Sequence, residues 1–154
     1  MGFTVRSIES LEDVQGVLRI HDSTWEKSSG ILDLLRNSKE CYVVADEDEE
    51  IHAYAFIQVD APAGGFAELD DIAVSPECRG QGVGHLLMRH IMDEFGWIKL
   101  LASAAKPQLL RFYKEMGFQQ EAIFENYYGI DEDAVRFVWK GDECKAEPVT
   151  DRNE

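Results

Sequence analysis

The sequence predicts an α/β (α+β) domain, with a mixed, mostly antiparallel central sheet of about six to seven strands flanked by about four helices. Three observations carry this expectation. Short runs rich in β-branched and aromatic residues alternate with longer runs whose apolar residues recur every three to four positions. Two of the short runs, 41–45 and 51–59, flank the acidic stretch Asp46-Glu47-Asp48-Glu49-Glu50, as a hairpin would. No regular series of strand–helix–strand units surrounds the glycine-rich segment near position 80, as a purely parallel sheet would require.

Each element has its own reason. Residues 3–8 read as a strand, after which Ser10 with Asp13 resembles a capping box opening a helix with Leu11, Val14, Leu18 and His21 along one face. A second short helix is predicted at 30–37. The run 51–59 is apolar on both faces, as a central strand would be, and 66–74 should pair next. Val83, Leu86, Leu87, His90, Ile91 and Phe95 recur with helical spacing and predict a helix packed on the sheet. Residues 97–102 form another strand. Pro107 suits the first turn of a helix carrying Leu109, Phe112, Tyr113 and Met116, and Gly117 ends it. Residues 118–124 and 134–139 would close the sheet. One domain is expected over 1–140, followed by an acidic tail, 141–154, expected to be disordered.

Composition bounds the function. A chain of 154 residues with 45% hydrophobic content can bury a core without staples. The net charge of −15 argues against nucleic acid and anionic membrane as partners, and suits a cationic acceptor as well as it suits solubility. No apolar run approaches the roughly 20 residues of a membrane span, and the start lacks a basic-then-apolar signal, so a cytoplasmic location is expected. Three widely spaced cysteines, Cys41, Cys78 and Cys144, suit reduced thiols, and Cys78, beside the glycine-rich segment, reads as an incidental turn thiol, with a reactive thiol as the alternative. No metal is expected, because His85 and His90 lack an accompanying Glu-x-x-His or Cys-x-x-Cys pattern.

The most specific segment is Arg79-Gly80-Gln81-Gly82-Val83-Gly84, between a strand and a helix. Glycines where a loop turns into a helix let backbone N–H groups and the positive helix end face an anion. A P-loop is excluded because His85 and Leu86 stand where Lys and Ser/Thr would be, and a dinucleotide fingerprint lacks its third glycine. The segment resembles the Arg/Gln-x-x-Gly-x-Gly/Ala signature of the GCN5-related N-acetyltransferase (GNAT) superfamily, preceded by the similar Asp71-Ile72-Ala73-Val74-Ser75-Pro76-Glu77-Cys78. Downstream, Phe112-Tyr113-Lys114-Glu115-Met116-Gly117-Phe118 is similar to the family's Phe/Leu-Tyr-x-x-x-Gly-Phe. The resemblance extends over residues 3–140.

It implies acetyl-CoA as acyl donor and an amine as acceptor. By the same resemblance, Ile72, Ala73 and Val74 offer backbone groups to the pantetheine arm and acetyl carbonyl, Gly80, Gln81, Gly82, Val83, Gly84 and His85 bind the pyrophosphate, and Arg79 assists by charge. Lys106 stands where the family usually has an Asn that bonds the pantetheine arm; it cannot accept that bond but could reach a cofactor phosphate. An acceptor amine is protonated at neutral pH, with a pKa of about 10, so a base must expose its lone pair, and the leaving thiolate needs a proton. Tyr113 stands where the family places the general acid; its plain alternative is a core aromatic. Glu68 is the first candidate base, with Asp70 and Asp71 as runners-up; alternation puts Glu68 and Asp70 on one face and Asp71 on the other. A water relay stays open.

The segments Glu125-Asn126-Tyr127-Tyr128 and Glu132-Asp133-Ala134 resemble those of ribosomal-protein alanine acetyltransferases and related protein N-terminal acetyltransferases, where the tyrosines help form the slot for a peptide N-terminus. Tyr127, Tyr128 and Trp25 are the candidate acceptor contacts; a tyrosine pair that merely stabilises its own hairpin is the alternative. Against that subfamily, Leu101 stands where a fifth-strand glutamate is usual. The implied activity is acetyl transfer from acetyl-CoA to a primary amine by direct attack in a ternary complex. The acceptor is a peptide N-terminus or, alternatively, a small-molecule amine or polyamine; a non-catalytic acyl-CoA-binding regulatory module and a homodimer stay open.

Overall fold

A computed structural model describes residues 2–24, 40–59 and 66–141 of the chain. The order is β1 (Thr4–Ser7), α1 (Leu11–Thr24), β2 (Glu40–Ala45), β3 (Ile51–Val59), β4 (Phe66–Val74), a 3-10 turn (Pro76–Cys78), α2 (Val83–Glu94), β5 (Trp97–Ser103), α3 (Pro107–Glu115), β6 (Gln119–Gly129) and β7 (Glu132–Lys140). The strands form one seven-stranded sheet in the order β1-β2-β3-β4-β5-β7-β6. The β4–β5 pair is parallel, and β1–β2, β2–β3, β5–β7 and β6–β7 are antiparallel. The helix expected at 30–37 and the tail after 141 lie outside the described residues. No helix among the described residues is long and apolar enough to cross a membrane.

The chain divides into two compact units, Met1–Val59 with Asp70–Ile91 and Asp60–Leu69 with Met92–Glu154. In the first, the acidic stretch makes the β2–β3 turn because Asp46 Oδ1 accepts the N–H groups of Asp48 and Glu50 at 2.8 and 3.0 Å. The middle of β3, from Ala53 through Ile57, is fully buried, as a central strand requires. Helix α1 packs on β3 through a core of Val17, Ile20, Val43, Ala45, Ile51, Tyr54, Phe56 and Ala73. A Cβ on Gly16 would stand 2.7 Å from Ile51 Cβ, so only glycine permits this approach.

The expected face of α1 holds in part: His21 is buried and Leu18 packs at the edge of the core, but Leu11 is 70% exposed, and the face is centred on Asp13, Val17 and Ile20. Ser10 Oγ does accept the Asp13 N–H at 3.1 Å, but the Asp13 carboxylate returns to the N–H of Glu9 at 2.8 Å and pairs twice with Arg6, at 2.7 and 3.1 Å. The Arg6 guanidinium holds the Asp13 carboxyl below the usual carboxylate range, against the opposing effect of burial. In α2 the buried residues are Val83, Leu87, Met88 and Ile91. Leu86, expected on that face, is 41% exposed, and His90 meets the edge of Tyr42 with ring centroids 5.1 Å apart.

In the second unit the parallel ladder runs from Phe66↔Trp97 to Leu69↔Leu100, and β5 pairs with β7 from Trp97↔Lys140 to Ser103↔Ala134. Helix α3 starts at Pro107 and is capped at Met116, and the chain then turns at Gly117, whose φ of +104° glycine adopts without strain. It packs against β5 and β6, burying Tyr113 and Met116 with Phe118 and Phe137. Strand β6 was expected to stop at Phe124 but continues to Gly129. It does so through a register shift between Phe124 and Gly129, with Asn126 at φ +56°, an irregularity the alternation pattern does not carry.

Candidate active site

The glycine segment is built by backbone. From the end of β4, Ser75 N–H donates to His52 C=O at 2.8 Å, Cys78 N–H to Ser75 C=O at 3.0 Å, and Gln81 N–H to Cys78 C=O at 3.3 Å. Gly80 and Gly82 have φ of +81° and +84°, and a Cβ on either would meet nothing within 4 Å. Glycine is therefore demanded by backbone direction and not by crowding, and the loop has room for a ligand. Leu86 N–H donates to Gly82 C=O at 3.0 Å, so the first turn of α2 presents N–H groups with no intrahelical carbonyl, at the positive end of a 12-residue helix. Such an end suits a pyrophosphate.

The side chains of this loop mostly brace it. Arg79 Nε donates to Val74 C=O at 3.0 Å and Gln81 Nε2 to Glu77 C=O at 3.1 Å. Val83 is 2% exposed, so only its backbone can reach a ligand, and Gly84 lies within the first turn of α2. His85 is exposed, as is Lys106, which precedes α3 and whose carbonyl accepts the N–H groups of Leu109 and Leu110. Ile72 and Val74 are half-buried and Ala73 is buried.

Alternation along β4 holds. Ala67, Leu69 and Ala73 are buried on one side with Asp71, while Glu68 is half-buried and Asp70 exposed on the other. Asp71 Oδ2 accepts the Tyr54 O–H at 2.9 Å and stands 3.9 Å from His21 Nε2. Burial first, and then the charges of Asp13 and Asp71, push the neighbouring Cys41 thiol up to about 12. Of the three candidate bases, Asp71 thus belongs to an internal polar cluster.

Tyr113 is 4% exposed, with ring centroids 5.3, 5.7 and 5.7 Å from those of Phe112, Phe118 and Phe137. Tyr127 and Tyr128 are 56% and 47% exposed, with rings edge to face at 5.0 Å. Burial, and next Tyr127, raise the Tyr128 phenol above its ordinary value. The backbone beneath them is fixed by Asn126 N–H donating to Asp133 Oδ1 at 2.9 Å and Asp131 N–H donating to Asn126 Oδ1 at 2.7 Å. Trp25 lies outside the described residues.

Residues 37–120 match the family described as Acetyltransferase (GNAT) domain, more than half of the chain. The chain belongs to the GNAT family of N-acetyltransferases. The acyl donor of this acetyltransferase is acetyl-CoA. A relative from Bacillus subtilis, carrying the provisional name [ribosomal protein bS18]-alanine N-acetyltransferase, is 28% identical over 84% of the chain and 89% of its own length. Solved structures share the fold. The ribosomal-protein-S18-alanine N-acetyltransferase of Escherichia coli has a TM-score of 0.76 at 23% identity, covering 90% of this chain and 94% of its own. A chain of the NatC complex bound to Gag peptide and CoA has a TM-score of 0.77 at 17% identity, covering 91% and 99%. The spermidine/spermine N-acetyltransferase SpeG of Vibrio cholerae has 0.71 at 18%, covering 92% and 94%.

Three groupings were invisible in the sequence because they join residues from separate elements. They are Tyr54–Asp71–His21, the Asn126–Asp133 brace, and a chain from Asp46 through His52 to Cys78. Asp46, Glu50 and His52 also place ligand atoms within 4.8 Å of one another, a grouping that could hold a metal ion. The Asp46–His52 hydrogen bond at 2.9 Å accounts for it without one.

Proposed function

We propose that this acetyltransferase, acting through a single domain over residues 1–140, acetylates the α-amine of a peptide N-terminus. The observation that carries the reading is the Tyr127–Tyr128 pair. Two large aromatics with polar tips stand about half exposed on a braced hairpin, at segments resembling those of N-terminal acetyltransferases. The similarity to the Bacillus subtilis relative over most of both chains supports it. Amphipathic rings of this kind suit a slot that is apolar along the peptide and polar at its end.

In the mechanism, the backbone of Ile72–Val74 orients the thioester and donates to the developing oxyanion, while the loop from Arg79 to His85, with Lys106, holds the diphosphate. The free amine attacks the acetyl carbonyl, the tetrahedral intermediate collapses, and Tyr113 protonates the departing CoA thiolate. Glu68 or Asp70 takes the ammonium proton directly or through water. Asp71, bonded to Tyr54, is the third candidate. Of the first two, Glu68 is the half-buried member and Asp70 the exposed one.

The test is a panel of acceptors with release of CoA thiol as readout. Short peptides with a free α-amine should support turnover, N-blocked peptides should not, and spermidine should be poorer by roughly 100-fold in kcat/KM, the scale on which a mismatched site discriminates. Turnover with spermidine and none with peptides would replace the peptide reading by a polyamine one. No turnover with any amine, with acetyl-CoA still bound, would leave an acyl-CoA-binding module.

A further inference from the structure

We propose that Cys78 is a modification site, a thiol activated by His52 and Asp46 that exchanges with small disulfides. The Sγ of Cys78 lies 3.4 Å from His52 Nδ1, and His52 Nε2 lies 2.9 Å from Asp46 Oδ2. With the thiol donating, Nδ1 accepts and Nε2–H donates to the carboxylate, so one tautomer satisfies both bonds. Nucleophile, base and orienting carboxylate thus stand in sequence, the arrangement that activates thiols and hydroxyls. The imidazole is fixed on a further side by Phe3, edge-on with centroids 5.8 Å apart, and its side chain is 11% exposed. Asp46 is itself pinned, because its other oxygen holds the hairpin N–H groups of Asp48 and Glu50. The second described cysteine is the opposite case. Cys41 is only half-buried, yet desolvation, and then the charges of Asp13 and Asp71, push its thiol up to about 12.

The exchange balances without another reagent. The Cys78 proton passes to His52 Nδ1, the thiolate attacks one sulfur of the disulfide, the new S–S bond forms as the old one breaks, and the released thiolate takes the proton from the imidazolium. Cys78 is oxidised to a mixed disulfide while half of the reagent is reduced to a thiol.

Place in the fold gives the site its consequence. Cys78 is 7% exposed and closes the 3-10 turn, with its N–H on Ser75 C=O and its C=O on the Gln81 N–H. An adduct on its sulfur requires this turn to open, and the turn is the base of the loop that carries Gly80 and Gly82. On the reading that this loop binds the diphosphate of acetyl-CoA, thiol exchange and donor binding oppose each other, each weakening the other by the same factor.

The experiment treats the native full chain with cystamine and follows each cysteine by peptide mass mapping. Cys78 should be converted at least about tenfold faster than Cys41, His52→Gln should slow Cys78 by about tenfold while leaving Cys41 slow, and saturating acetyl-CoA should protect Cys78. Should His52→Gln loosen the fold, seen as fast reaction of Cys41, Asp46→Asn provides the same comparison with a smaller decrease. Equal rates for the two cysteines, or an unchanged Cys78 rate in a folded variant, would overturn the assignment. Absence of both protection and any acetyl-CoA-induced rise in melting temperature would remove the cradle reading and leave the activated thiol standing. A rise in melting temperature without protection would overturn the coupling.

Discussion

The glycine loop at 79–84 and the tyrosine hairpin at 124–134 are built on opposite principles. On the proposed reading the loop recognises its ligand through backbone N–H groups, set by two positive-φ glycines and by the start of α2, while Arg79 and Gln81 donate back to carbonyls of their own chain. In the hairpin the backbone is only the support, held by Asn126 and Asp133, and the surface offered outward is made of the Tyr127 and Tyr128 rings. A site made of backbone fixes a ligand feature that never varies, which on the proposed reading is the diphosphate; a site made of side chains can be retuned by exchange of a few residues. That division explains why the donor is settled by family membership while the acceptor is a matter for proposal.

The sharpest break between the two comes from Gly82→Asp. At φ +84° an L side chain is strained, and a carboxylate there repels the diphosphate, so turnover should fall below detection at ordinary acetyl-CoA concentrations while secondary structure by circular dichroism is retained. Tyr113→Phe should come next, with kcat reduced about 100-fold and acetyl-CoA binding unchanged, the scale of a lost general acid. Unchanged turnover would leave Tyr113 as the core aromatic its contacts with Phe118 and Phe137 also describe.

A third test sets the stability of the loop's unit against its chemistry. Asp13 is 3% exposed and paired with Arg6, so Asp13→Ala removes the buried carboxylate of that pair and leaves the guanidinium only its exposed partners Glu49 and Glu9; it should cost about 2 kcal/mol in denaturant unfolding. Because pairing lowers the folded carboxyl below its unfolded value of 3.8, the contribution is fully present above that value and is lost as pH falls through the folded one. The wild type should therefore lose stability in this acid range more steeply than Asp13→Ala. The smallest effect belongs to the hairpin. Tyr127→Ala with Tyr128→Ala should raise KM for a peptide acceptor about tenfold and leave the dependence on acetyl-CoA as it was.

Local patterns made the frame legible. The seven strands and three described helices follow from period, from Pro107 and Gly117 at the ends of α3, and from the acidic turn between β2 and β3. The turn at Gly80 and Gly82 was legible for the same reason, since glycine spacing reports backbone conformation directly. Faces were harder. Leu11 and Leu86 are apolar residues with helical spacing that nonetheless lie exposed, because which side of a helix is covered depends on the sheet beneath it and not on the helix alone. The extension of β6 past Phe124 was missed because a bulge breaks alternation, and it needs Asp133 from the next strand to form. The polar chains Tyr54–Asp71–His21 and Asp46–His52–Cys78 bring together residues far apart in sequence, and no spacing rule reports them.

The division of labour between backbone cradle and tyrosine hairpin is tested most directly by measuring the acetyl-CoA-induced rise in melting temperature for the wild type, Gly82→Asp and the double tyrosine variant side by side. At about 100 times Kd the ligand should stabilise the wild type and the tyrosine variant alike, by about 2.7 kcal/mol, and Gly82→Asp not at all. A full rise in Gly82→Asp, or its loss in the tyrosine variant, would contradict the account.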